Sequence, residues 1–151
     1  MISKEELKPL KTTHIAMCIG LGIFILIVDF LIRKFGSFLE LNKEMIYILN
    51  TLVFLGFLLL VPLAYHLHSN KLKNIRNIQN PVNSYINSYL LKLVLIEVAG
   101  IFSGIVYLLS ANAQILIIAA MGLVLLIINN PSFNRVNREL EIEFPEEEGE
   151  E

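Results

Sequence analysis

"YLLKLVLIEVAGIFSGIVYLL" (Tyr89–Leu109) decides the fold. This run is apolar apart from Lys92, Glu97 and a few small or hydroxylated residues. As a helix it is long enough to cross a hydrocarbon layer roughly 30 Å thick, which takes about 20 residues. Three more stretches read the same way: His14–Ile32, Met45–Tyr65 and a shorter one, Ala113–Ile128. None shows the alternating polarity of a membrane β-barrel, and helices are the other backbone arrangement that satisfies itself in lipid. The 151 residues, 55% of them hydrophobic, therefore predict an all-α membrane protein. Its domain covers residues 1–131, with four transmembrane helices over about 14–32, 45–65, 89–109 and 113–128.

The ends of these spans carry tyrosine at Tyr47, Tyr65, Tyr89 and Tyr107, as amphipathic rings at membrane interfaces do. Lys4, Lys8 and Lys11 precede the first span in the manner of a secretory signal. That apolar run is too long for one, and no small-x-small cleavage site follows, so an uncleaved span is expected. Cys18 is the sole cysteine, which excludes an intramolecular disulfide.

The net charge of -2 hides a strong asymmetry, because "ELEIEFPEEEGEE" (Glu139–Glu151) holds eight of the 14 acids. Orientation follows lysine and arginine instead. Nine of them (Lys4, Lys8, Lys11, Lys71, Lys73, Arg76, Lys92, Arg135 and Arg138) flank one set of span ends, against Arg33, Lys34 and Lys43 at the other. Both termini and the long middle loop are accordingly predicted to be cytoplasmic.

"GIF" occurs at Gly22–Phe24 and again at Gly100–Phe102, and each of these spans is followed by one with a central glycine (Gly56, Gly122) and a later proline (Pro62, Pro131). Two readings stand: two repeated helix pairs, or shared membrane composition. The middle loop "HSNKLKNIRNIQNPVNSYINS" also has two: a surface helix through Leu72, Ile75 and Ile78 stopped at Pro81, or a polar connection. Beyond Pro131, Ser132 is placed to cap a short cytoplasmic helix over 132–144 with Phe133, Val136 and Leu140 on one side. The acidic tail 145–151 has too few apolar groups to order itself.

Glu97 is the leading site candidate, since an ionisable residue inside a membrane is costly and marks a pathway or a contact. Gly100 and Gly104 lie three and seven positions on, on the same helix face, and "GIFSG" is a small-xxx-small pattern that permits close helix packing. Glu97 is thus either a proton- or cation-binding carboxylate or a helix-joining group. Lys92 is expected to reach the inner headgroups. Asp29 and Arg33, four apart, form a helical ion pair near the outer interface. His14, His66 and His68 share one level, but their spacing matches no ligand set, so no metal and no cofactor is expected. There is no phosphate loop or nucleophile–base pair, and the dispersed basic residues give no support to nucleic-acid binding.

"LIEVAGIF" (Leu95–Phe102) and "PSFNRVNREL" (Pro131–Leu140) resemble elements of a class of small uncharacterised four-helix bacterial inner-membrane proteins. Those proteins have a Glu-small-small-x-Phe element in the third span and a Pro-Ser/Thr…Glu/Asp-Leu element after the fourth. The resemblance implies a bacterial inner membrane and no particular activity. The expectation is a non-enzymatic structural or accessory subunit, or a self-associating bundle. Its partners would be the bilayer and other subunits, or itself, through the Glu97/Gly100/Gly104 face. The alternative is a proton- or cation-translocating protein using Glu97.

Overall fold

In the computed structural model the described residues are 4–39, 41–74 and 81–143. They form five helices and no strand: α1 (Lys4–Phe35), α2 (Lys43–Asn74), α3 (Pro81–Ser110), α4 (Ala113–Ile128) and α5 (Phe133–Glu143). Local chemistry sets their ends. α1 stops where Gly36, at φ +78°, donates its N–H to the Ile32 carbonyl, the left-handed cap that glycine adopts without strain. Asn42 precedes α2, its side chain accepting from the Met45 N–H at 2.8 Å. Pro81 opens α3, where a missing N–H costs nothing. Asn112 caps α4 by accepting from the Gln114 N–H, and Ser132 sits 3.4 Å from the Arg135 N–H before α5.

Two apolar clusters fix the topology. At one end Leu10, Leu21, Ala64, Tyr89, Leu126 and Val136 meet. At the other, Val28, Val53, Val106 and Ile115 do. The first cluster, here the near end, takes the beginnings of α1 and α3 and the ends of α2 and α4. The helices therefore alternate up and down, and α5 turns 81° away from α4 to lie across the near end. α3 is the central helix: half of its most apolar window is buried, against 11% for α1 and 6% for α2. The remaining faces of α1 and α2 expose Ile23, Leu26 and Phe30, and Leu52, Leu59 and Leu63. Three helices are long and apolar enough to cross a membrane, or four spans if α4 and α5 count as one bent pair. That surface is compatible with a lipid surround.

The helices extend beyond the predicted spans. α1 begins ten residues before His14 because Leu7 and Leu10 are buried in the near cluster and carry the helix outward. Of the two readings of the middle loop, a helical continuation holds as far as Asn74, where α2 runs on past Tyr65 through Leu72 as one helix, and Pro81 opens α3. Ile75 and Ile78, and the acidic tail 145–151, lie outside the described residues. Tyr47 and Tyr65 are exposed, but Tyr89 and Tyr107 are buried and hydrogen-bonded, so they are interior groups and not interface rings. The glycines matched by the apparent repeat have unlike surroundings. A Cβ on Gly56 would meet nothing within 4 Å, whereas one on Gly122 would sit 3.1 Å from the Gly100 Cα.

Candidate functional site

The face of α3 that carries Glu97 packs within the chain. A Cβ at Gly100 would fall 2.8 Å from the Leu21 side chain, and one at Gly104 would fall 2.5 Å from the Phe24 ring. The small-xxx-small element thus holds α1, and through Gly122 also α4, against the central helix. Both glycines are buried in this contact, so they are not available as a face for another chain. Glu97 lies at its edge, half-buried and near Cys18, with no hydrogen bond or ion pair to a described residue. At the far end Asp29 accepts from Arg33 Nε at 2.7 Å and from the Tyr107 hydroxyl at 3.0 Å, tying α1 to α3.

The three histidines do three separate things. His66 is exposed and accepts from Asn70. His14 is buried, and its Nε2–H donates to the Leu126 carbonyl at 2.7 Å. His68 is buried between α2 and α3. Among the described residues no group of three or more His, Cys, Asp or Glu side chains could hold a metal ion.

His68 belongs to a polar cluster at the near end that sequence patterning does not reveal. Tyr85, Ser88, Tyr89 and Lys92 recur along α3 at helical spacing, and all four are buried. Ser88 lies 2.7 Å from His68 Nδ1, and the histidine ring stands edge-on to both Tyr85 and Tyr89. Glu139 reaches in from α5. One of its oxygens accepts from the Tyr85 hydroxyl at 2.7 Å and faces His68 Nε2 at 3.5 Å, and the other accepts from Arg135 Nε at 3.0 Å. Burial works against the charged form of this carboxylate. Hydrogen bonds from His68, Tyr85 and Arg135, with the Lys92 charge behind them, win and hold its pKa down to about 2.

Lys92 departs most from expectation. It does not extend to the headgroup level: only 1% of it is exposed, and its Nζ lies 3.9 Å from the Tyr89 ring centroid and 5.4 Å from that of Tyr65. No described residue gives it a hydrogen bond or an ion pair. Two aromatic faces and the more distant Glu139 offset part of its desolvation.

The same cluster closes the exposed end of α4. A helix leaves its last four carbonyls without internal partners. Here the Leu125 carbonyl accepts from the backbone and side chain of Asn129, that of Leu126 from His14, and that of Ile128 from Arg135. The following Asn129 carbonyl accepts from Tyr89, and the Asn129 amide donates on to Tyr65. Side chains from α1, α2, α3 and α5 therefore converge on one helix end, placing positive and donor groups at the negative pole of its dipole. Chemically the arrangement fixes helices. It brings together His14, His68, Lys92, Arg135 and Glu139, and leaves Glu97 apart. No protein-family model, curated protein or solved structure matches this chain.

Proposed function

We propose that the chain is a non-enzymatic, multi-pass protein of a bacterial inner membrane, with both termini cytoplasmic, acting as a structural or accessory subunit. The observation that carries this reading is the use of the interior polar groups. From His14 to Glu139 they are engaged in capping α4 and docking α5, which is the chemistry of a rigid scaffold. Glu97 is then the group offered to a second chain. It is half-buried at membrane depth, and an unpartnered carboxylate there gains from any donor that a neighbouring subunit brings.

That same lack of a partner supports a second reading, in which Glu97 exchanges a proton or cation. Glu97→Gln and Glu97→Leu separate the two. For a subunit, native-size complexes purified in mild detergent persist with glutamine and dissociate with leucine, and proteoliposomes carry no pH-driven ion flux. Flux that is present in the native protein and lost in Glu97→Gln, with assembly unchanged, would overturn the scaffold reading. Orientation is tested by Ala113→Cys in a Cys18→Ser background. Labelling by an impermeant reagent from outside the cell is expected, and labelling only after the inner face is opened would reverse the topology.

A further inference from the structure

Unlike His14, His68 and Lys92, which are buried, Glu97 is half-buried and can be reached from outside the chain. No described residue gives it a hydrogen bond or an ion pair. Its flank of α3 exposes Val94 and Val98. Leu21 packs at Gly100 and Phe24 at Gly104, so α1 and α3 run side by side in parallel, and Glu97 shares its depth with the stretch of α1 around Cys18. Gly20 comes one turn before Phe24, which places it on the α3 side of α1, and a Cβ there would meet nothing within 4 Å. The surface beside the carboxyl is therefore open enough for a facing helix to come close.

We propose that this flank pairs with the same flank of a second copy across a twofold axis, the two Glu97 carboxyls hydrogen-bonding to each other. The inference rests on the reading of the chain as an inserted subunit, and it names what Glu97 meets. Copies inserted alike share one orientation, so a twofold axis along the membrane normal brings each residue against residues of its own depth. Within one turn of Glu97 the exposed residues of α1 and α3 are Ile15, Ala16, Ile19, Gly20, Val94 and Val98, none with a polar side chain. The group of a second copy that can answer Glu97 on this flank is therefore the other Glu97. A carboxyl suits that role because, with a shared proton, one member of the pair donates and the other accepts. A foreign helix would have to carry a polar group of its own at this depth, which is costly before the two meet, whereas a second copy already carries one.

The test is made in intact membranes with Cys18→Ser as the background. Val94→Cys and Val98→Cys should each give a disulfide-linked dimer on mild oxidation, and Met121→Cys, on the exposed side of α4, should not. Adding Glu97→Leu should lower the cross-linked fraction about tenfold, the scale of one interhelical hydrogen bond in a membrane. Glu97→Gln, whose amide also donates and accepts, should keep it. Glu97→Lys expressed alone should stay monomeric, and co-expressed with differently tagged native chain it should be captured with that chain. The lysine mixture tests the pairing even where the leucine variant does not fold. The pairing is refuted if the α3 cysteines cross-link no better than Met121→Cys, or if Glu97→Leu leaves the cross-link unchanged. A purified complex holding a single copy of this chain beside another protein would refute the second copy and leave the subunit reading standing. A native monomer with no companion would refute both.

Discussion

Glu139→Gln should lower stability by about 2–3 kcal/mol at neutral pH, and two routes give that figure. Glutamine keeps the shape of the side chain, but its NH2 cannot accept, so of the two bonds the carboxylate accepts on separate oxygens, from Tyr85 at 2.7 Å and Arg135 at 3.0 Å, one is lost and the other loses its anionic acceptor. A bond to an ionised group is worth about 1.5–3 kcal/mol, so losing one and weakening the other costs about 2–3 kcal/mol. The His68 contact at 3.5 Å is too long to add much. The second route is proton linkage. The carboxyl is held at about 2 instead of 4.5, and at about 1.36 kcal/mol per pH unit this is worth roughly 3 kcal/mol, reduced somewhat because 22% of the side chain is exposed. A depressed carboxylate stabilises the fold fully above pH 4.5, and that contribution is lost as the pH falls towards about 2. Thermal melts of the detergent-purified protein, followed by circular dichroism, should show the variant melting roughly 4–12 °C lower at pH 7. The gap should close as the pH drops below 4.5, where only the native protein loses the carboxylate's contribution. A variant that melts with the native protein at pH 7, or a gap independent of pH, would refute the placement of Glu139 as the anchor of α5.

The glycines give a paired test. Gly104→Ala drives a Cβ to 2.5 Å from the Phe24 ring and should cost about 1–3 kcal/mol, read as a lower melting temperature. Gly56→Ala meets nothing within 4 Å and should be neutral or gain up to about 1 kcal/mol from helix propensity. Ala111 turns the α3–α4 hairpin at φ 52°, so Ala111→Gly should stabilise by about 0.5–1 kcal/mol in the same melts. Lys92→Met keeps an unbranched chain against the two tyrosine rings while removing a buried charge, and should change stability by less than about 1 kcal/mol. Lys92→Ala leaves a void there and should cost about 2 kcal/mol or more.

Much of this architecture is local in origin, and to that extent it could be read in advance. The Gly100/Gly104 face follows from the 3.6-residue repeat, and the Asp29–Arg33 pair from four-residue spacing on one helix. The near-end cluster was hidden because its contacts are long-range. Tyr85 and Glu139 are 54 residues apart and His68 and Glu139 are 71 apart, while Arg135 and Glu139 alone resemble an ordinary surface pair. One signal was present: Tyr85, Ser88, Tyr89 and Lys92 form a polar stripe running into an apolar helix, and a stripe of that kind needs partners from other elements. Lys92 was misplaced for a related reason. With the helix taken to begin at Tyr89, the lysine stands near an end. With α3 beginning at Pro81, it stands more than two turns inside.

The shortness of α4 bears on where such a protein can reside. Its 16 residues rise about 24 Å at 1.5 Å per residue, some 6 Å less than a typical hydrocarbon layer. If the chain spans a bilayer as proposed, with α4 crossing by itself, the layer beside α4 would have to thin to meet it, whereas beside α1 and α2 it would not, so the molecule would carry a gradient of membrane thickness across its own circumference. Mismatch of this kind draws proteins towards thinner membrane and towards neighbours that cover the short side. On that ground the α4 flank, more than the long apolar flanks, is where the surrounding membrane should be most perturbed.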